Sequence, residues 1–462
     1  MYRTKLLLLF AALSFIPTLW LYTIGEEGIY TISSMEMWES RNWLIQTLYG
    51  VNIQRPTLMN WLVVGISNLI GWANVLVATR LVAIAATLGM VGWLYWLCKR
   101  LFHDPAFALF AALSCISLLD LLLYRGWLAY TDPLFSFFIF GAIATLWVAS
   151  AERHKGWLFA SILLISCAFL TKAITAYVFY ATAMFVLLLS RQQRTFLLSL
   201  GALLILSSIV IVPLVWLTSI PQLNGQGSSL LHEIEMKLME IDGTEYASRL
   251  FLYPLEALWR FAPVSLITLY LLLRKHELQA ENAADHFRTA LLIALPCIIP
   301  YWLAPQGGIR YLLPMYPLVA LVCARIIWRA GEAARKLTMR WFAGLIAVKF
   351  VLVLLLFPYY QNHVRGVNYV TAARDIVHKT AGHPLYVKDF RDVAESIVTQ
   401  IDIDRYPQPT LKSPPANWDN GFLLSEDADP AKGQLFEKIQ LGGSEIYLLC
   451  RGAACRQTRP SF

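Results

Sequence analysis

The sequence predicts an all-α polytopic membrane bundle with a small C-terminal α/β domain. Three observations predict it. Of 462 residues, 58% are hydrophobic and only 15% charged, where a soluble domain carries about 25% charged residues. Apolar runs of roughly membrane-crossing length recur up to about residue 360. Beyond residue 361 the runs shorten, charges of both signs mix and prolines punctuate the chain. A soluble enzyme, a disordered chain and a nucleic-acid binder are excluded by this composition, and no nucleic-acid partner is expected.

In chain order, a basic start at Met1–Lys5 precedes an apolar run from Leu6 to Ile24. That run is too long for a signal peptide and no A-x-A site closes it, so it reads as an uncleaved first span. Further apolar runs fall at 58–72, 75–97, 104–124, 132–150, 157–171, 173–190, 195–217, 251–273, 289–305, 311–328 and 341–360. A spanning helix needs about 20 apolar residues, with about 17 near the lower limit.

Charge sorts these runs. Basic clusters lie at Lys99–Arg100, Arg153–Lys155, Arg191–Arg194, Arg274–Arg288 and Arg325–Arg340. If they and the N-terminus face the cytoplasm, an even number of spans separates each neighbouring pair. Three runs lie between Lys5 and Lys99, so one of them does not cross. The most polar is 58–72, with Asn60, Ser67 and Asn68, and it reads as an interfacial helix. About eleven spans remain. An odd number places the C-terminus outside, in the periplasm of a Gram-negative cell whose inner membrane holds the bundle. The net charge of +8 is then mostly a topology signal.

The predicted division is 1–360, a membrane domain with outer loops at 25–74 and 218–250, and 361–462, a periplasmic α/β domain. Strand-like stretches at Leu385–Val387, Phe422–Leu424 and Ile446–Leu449 and a helical stretch at Val370–Thr380 mark the tail. Five cysteines sit in or beside apolar runs and read as small core residues. Cys450 and Cys455 lie in the predicted outer domain, close in sequence, and are the disulfide candidates.

With this topology the polar residues at span ends gather on the outer side. They are Glu26 and Glu27 after the first span, Arg55 before the interfacial helix, Asp132 at a span start, Lys172 between two short runs, and Arg310 with Tyr311 after a Gly-Gly hinge. Each has an ordinary reading. Asp132-Pro133 is a usual helix start, arginines anchor headgroups and lysines snorkel from helix ends. Their shared face is what points to a site. Lys349, mid-way along the last run, stands where charge is costly and has no partner legible in the sequence. His232, among the acids of 218–250, is a candidate metal ligand. A divalent metal ion is the one cofactor left open.

Several strings carry a resemblance. Glu26-Glu27-Gly28-Ile29-Tyr30 precedes Met35-Glu36-Met37, Asn52-Ile53-Gln54-Arg55-Pro56-Thr57 and Trp61. Leu128-Ala129-Tyr130-Thr131-Asp132-Pro133, Phe169-Leu170-Thr171-Lys172 and Arg310-Tyr311-Leu312-Leu313-Pro314-Met315-Tyr316-Pro317 follow in order. Together they resemble the GT-C-type lipid-linked sugar transferases, most of all the bacterial aminoarabinose (lipid A) transferase and protein O-mannosyltransferase-like group. The likeness covers most of residues 1–330. The chain departs from that pattern where Glu26 replaces the leading Asp, Arg55 replaces the Lys of K-P, Gln54 replaces an often acidic residue, Ala173 replaces the Gly after L-T-K, and Ile29 replaces an Arg.

The resemblance implies a membrane glycosyltransferase with a polyprenyl-phosphate-linked sugar donor. The acceptor would be lipid A, another surface glycan or lipid, or a protein. Transfer would invert the anomeric carbon at the periplasmic face. Arg55, Lys172, Arg310 and Tyr311 would bind the donor phosphate. Glu26 and Asp132 would serve as base, with Glu27 orienting or binding a cation and Tyr30 beside them. The alternative reading is a transporter or flippase of a lipid-linked saccharide, for which polar groups near the midplane and paired repeats are the marks.

Overall fold

Helices form along the apolar runs because a spanning segment must pair its own N–H and C=O groups. The computed structural model describes residues 1–53, 55–220, 243–280, 283–304, 308–364, 369–388, 393–441 and 444–456. Among these, eight helices are long and apolar enough to cross a membrane: Tyr2–Trp20, Trp72–Phe102, Thr131–Glu152, Lys155–Lys172, Leu200–Ser219, Ala284–Leu303, Ile309–Arg329 and Glu332–Tyr359. A ninth is the pair Tyr246–Arg260 and Val264–Leu273, bent by 108°. The two remaining predicted spans are shorter helices. Pro105–Ile116 has 12 residues and Thr175–Leu189 has 15, or about 18 and 22 Å at 1.5 Å per residue. The first breaks at Ser117 and resumes as the π-helical turn Leu121–Arg125. The 58–72 run folds as the 13-residue helix Leu58–Ile70. The chain is a multi-pass membrane protein.

Two compact units divide the chain. Unit 1 is Met1–Ile16, Ala83–Trp127 and Thr131–Lys349; unit 2 is Pro17–Val82, Leu128–Tyr130 and Phe350–Phe462. In unit 1 the Thr131–Glu152 helix is central, with 83% of its span buried, whereas Leu200–Ser219 is 11% buried and peripheral. Two glycines let the central helix pack closely. A Cβ on Gly89 would stand 2.6 Å from the Phe137 ring, and one on Gly141 would stand 2.6 Å from the Trp93 indole nitrogen. Small residues at such crossings let backbones approach. Lys349 is fully buried, with its Nζ 3.2 Å from the centre of the Phe15 ring. That cation–π contact is its partner among the described residues.

Unit 2 joins the first loop to the tail. A four-stranded sheet has the order β1 (Leu385–Lys388), β2 (Gly421–Ser425), β4 (Ser444–Arg451), β3 (Gln434–Leu441). β1 and β2 run parallel; the other pairs are antiparallel. β3 and the Val393–Arg405 helix are elements with no sequence signal strong enough to be read in advance. The tail's core takes in Ile32 and Tyr49 of the first loop, packed with Ile376, Ile401 and Phe422. The Glu39 carboxylate accepts hydrogen bonds from the Thr410 N–H and hydroxyl, both at 2.9 Å. Cys450 and Cys455 form a disulfide.

Asp402 is buried in this unit, and its Oδ1 accepts the Leu411 N–H at 2.8 Å. Burial pushes its carboxyl well above the usual carboxylate range. The folded chain therefore holds a proton there that the unfolded chain has lost above about pH 4. Stability falls as pH rises from that point through the folded value. Asp402→Asn keeps the acceptor oxygen and removes the ionisation. Its melting temperature should exceed the native one at pH 7, and the gain should vanish near pH 4. Equal melting temperatures at pH 7 would contradict the burial argument.

Candidate active site

The two acids after the first span have different fates, both inside unit 2. Glu27 is fully buried and bidentate with Arg80: Nε to Oε1 at 2.9 Å and Nη2 to Oε2 at 2.6 Å. Its oxygens also accept the Ala129 N–H at 2.9 Å and the Ile24 N–H at 2.8 Å. Arg80 in turn donates to the carbonyls of Thr18, Leu21 and Tyr22 at 2.9, 2.5 and 3.0 Å. Both carboxylate oxygens of Glu27 are thus occupied by protein donors. Glu27 fixes the backbone of 18–24 and of Ala129.

Glu26, one residue earlier, is the N-cap of the Glu27–Ser40 helix and half-buried. Its N–H donates to the Tyr130 hydroxyl at 3.3 Å. Gly25 makes that approach possible. Its φ is +59°, and a Cβ there would stand 2.7 Å from the Tyr130 oxygen, so neither the conformation nor the space admits a side chain. Tyr30 lies one turn beyond Glu26 on the same helix face. Its hydroxyl accepts from Arg55 Nη1 at 3.4 Å. Arg55 is exposed. Unit 2 therefore holds half-buried Glu26, buried Tyr30 and exposed Arg55 together with the fully buried Glu27–Arg80 pair.

Unit 1 assembles a second set. Asp132 stands in the first turn of the Thr131–Glu152 helix, where a carboxylate suits the helix dipole. It is ion-paired with Lys172, in the last turn of Lys155–Lys172. The Asp132 side chain is 9% exposed and that of Lys172 24%. Lys172 Nζ lies 5.3 Å from the centre of the Tyr311 ring and 5.7 Å from that of Phe135. Arg310 donates to the Tyr311 hydroxyl at 3.2 Å. Tyr311 stacks on Tyr301 at 6.0 Å, and Tyr301 on Phe179 at 5.8 Å. The result is a cation pair over an aromatic floor, with one carboxylate against it.

Ala173 follows Lys172 with φ +54° and ψ −139°. This is the position at which the resembled family carries Gly, and the left-handed turn is the reason a Gly suits it. Alanine holds the conformation at a cost of order 1–3 kcal/mol. Ala173→Val, β-branched, should lower stability by about 1–2 kcal/mol more, while Ala173→Gly should not lower it. Thermal unfolding of both variants in detergent measures this, and an unaffected valine variant would contradict the assigned backbone.

A third group was not anticipated. Asp120 accepts from Arg260 Nη1 at 2.6 Å and from the Tyr316 hydroxyl at 2.5 Å. Like Arg80, it lies within an apolar run, and a charge there is a signal in itself. His232, Gln54, Gly307 and the middle of the 218–250 loop lie outside the described residues. Among the described residues no three His, Cys, Asp or Glu side chains come together as a metal site, so no step here is derived through a metal.

No family profile matches the chain. Over the full length of both chains it superposes on the crystal structure of ArnT from Cupriavidus metallidurans in the apo state, with a TM-score of 0.74 at 14% identity. Against the same ArnT bound to undecaprenyl phosphate the TM-score is 0.73 at 13% identity, covering 100% of this chain and 99% of that one. The chain has the ArnT fold. In sequence it is 29% identical over 206 residues to the undecaprenyl phosphate-alpha-4-amino-4-deoxy-L-arabinose arabinosyl transferase of Edwardsiella ictaluri (strain 93-146). That match spans 43% of this chain and 36% of the relative.

Proposed function

We propose that this protein is an integral membrane glycosyltransferase that moves a sugar from a polyprenyl-phosphate-linked donor to an acceptor. The observation that carries the reading is the Asp132–Lys172 pair beside Arg310 and Tyr311, on a fold shared with a structure that holds undecaprenyl phosphate. In the reaction a nucleophilic oxygen of the acceptor bonds to the anomeric carbon. The bond from that carbon to the phosphate oxygen breaks, and configuration inverts. The leaving polyprenyl phosphate gains negative charge, which Lys172 and Arg310 stabilise. Arg can grip two phosphate oxygens and Lys serves as a point charge. A hydroxyl acceptor gives its proton to a carboxylate, the part assigned to Asp132. A phosphate acceptor is already ionised and needs no base. Glu26 and Arg55 keep the roles the motif resemblance implies, base and phosphate ligand. Glu27 acts through the backbone it holds.

The acceptor is lipid A, another surface glycan or lipid, or a protein. The bundle lies in the bacterial inner membrane, N-terminus in the cytoplasm and C-terminal residues in the periplasm. The transporter alternative finds no support, since the relatives reported above are a transferase and ArnT. Mass spectrometry of lipid A and surface glycans from cells with and without the gene tests the reading. A glycosyl mass lost with the gene is expected; identical spectra for every glycan, lipid and protein fraction would refute it. On purified protein, Lys172→Ala should weaken undecaprenyl phosphate binding by roughly 10- to 100-fold, the loss of one charge-assisted hydrogen bond. Unchanged affinity removes Lys172 from the donor site.

A further inference from the structure

The helix Tyr246–Arg260 of unit 1 has two distinct faces. Phe251, Leu252, Leu255 and Trp259 are exposed and, at about 100° per residue, fall within one arc of the helix. Tyr246, Tyr253 and Arg260 are spaced seven residues apart and share the opposite face. Two of these three pin the helix. The Tyr246 hydroxyl donates to the Leu303 carbonyl at 2.9 Å. Arg260 holds Asp120, whose other oxygen takes the Tyr316 hydroxyl. The Leu119 N–H reinforces this end by donating to the Ala262 carbonyl at 2.8 Å. A third pin lies between them. Pro254 has no N–H for the Leu250 carbonyl four residues back, and Trp302 Nε1 donates to that carbonyl instead, at 2.9 Å.

Tyr253, midway between the end pins, is 4% exposed, and its hydroxyl makes no hydrogen bond among the described residues. Burying a hydroxyl without a partner is costly, and a phenylalanine would fill the same space without that cost. Such a group calls for an explanation, and the surroundings supply one. Trp302 and Leu303, which hold the helix, end the segment Ala284–Leu303 that carries Tyr301. Tyr253 and Tyr301 are close enough for their phenols to interact electrostatically. Tyr301 stacks on Tyr311. The Lys172 ammonium and the Arg310 guanidinium stand 5.3 and 5.1 Å from the Tyr311 ring centre. The unpaired hydroxyl thus borders the aromatic floor that carries the two cations.

We propose that Tyr253 is a further ligand of the donor phosphate, its hydroxyl donating to a phosphate oxygen that Lys172 and Arg310 attract. The assignment rests on the transferase reading and adds a neutral donor to its two cations. A hydroxyl bound to an anionic oxygen makes a short, strong hydrogen bond. A neutral donor also needs no counter-ion in an apolar setting, which suits a side chain set among rings. The hydroxyl is covered, so donor entry requires a side-chain rotation, the usual scale of change on binding. The pins at Leu303, Leu250 and Asp120 keep the helix in place while that side chain moves.

Undecaprenyl phosphate is the probe, because it carries the phosphate and no sugar. Its binding to the purified full-length protein and thermal unfolding in detergent are measured for the native chain and for Tyr253→Phe. The substitution keeps the ring and removes only the hydroxyl. Affinity should fall by roughly 10- to 100-fold, the loss of one hydrogen bond to a charged group. The melting temperature without lipid should equal or exceed the native one, since no hydrogen bond is lost. A folded variant with native affinity overturns the assignment. So does a lowered melting temperature, which would give the hydroxyl a structural partner. Failure of the transferase reading looks different: the native chain itself would then not bind the lipid, and the role of Tyr253 would fall with it.

Discussion

Asp132→Asn is expected to lower sugar transfer by about 10²–10⁴-fold, the range a positioned general base contributes, while the protein stays folded. The substitution is conservative in shape. Asparagine keeps an oxygen for the Lys172 ammonium and the same place in the first turn of the Thr131–Glu152 helix. It loses the negative charge and the capacity to take a proton from a hydroxyl. Lys172→Ala should act differently, through donor binding, because a cation aimed at phosphate oxygens contributes where charge resides and accumulates. The two variants, assayed for transfer from a polyprenyl-phosphate sugar and for thermal stability, separate base from phosphate ligand. Full transfer activity in a folded Asp132→Asn protein would falsify the base assignment. In that event Glu26 as the base, or a phosphate acceptor that needs none, becomes the reading to pursue.

Arg80→Ala and Glu27→Ala should each destabilise the protein by about 3–5 kcal/mol, because each leaves the other charge buried without its partner. A typical domain holds about 5–15 kcal/mol in all, so loss of folded material at ordinary temperatures is the practical expectation. The geometry explains the size of the effect. Arg80 spreads its donors over one carboxylate and the carbonyls of Thr18, Leu21 and Tyr22, and no water replaces them at zero exposure. The double variant Glu27→Leu/Arg80→Met removes both charges together and should regain much of the loss, as apolar replacements of buried pairs commonly do. Its transfer activity should stay low, since Glu26 and the Ala129–Tyr130 segment lose the carboxylate that organises their backbone. Melting temperatures of the three proteins in one detergent decide this. A stable Glu27→Ala protein without activity would instead give Glu27 a chemical role.

Much of the bundle was legible because bilayer physics is coarse. Length and apolarity name a spanning helix almost regardless of its neighbours, so the runs at 132–150 and 311–328 became helices close to those bounds. The exception is local. Ser117 interrupts the 104–124 run, which hydropathy reads as continuous. Motifs named Asp132, Lys172, Arg310 and Tyr311, and unit 1 brings these together. They did not name Arg80 or Asp120, whose charges were averaged away inside apolar windows although the cost of burial should have flagged them. Nor did they separate Glu26 from Glu27. Two adjacent acids are alike in sequence, and at a helix start one turns inward and the other remains accessible.

By itself the sequence determined that this is a helical membrane bundle. That follows from composition and spacing, which act on every residue in the same way. Only the tertiary structure decided that residues 17–82 and 350–462 form one unit around Ile32 and Phe422. It alone decided that Glu27 is a buried strut paired with Arg80. These depend on partners hundreds of residues apart in the chain. Ion pairing and desolvation act through distances in space, and one chain read in order does not contain those distances.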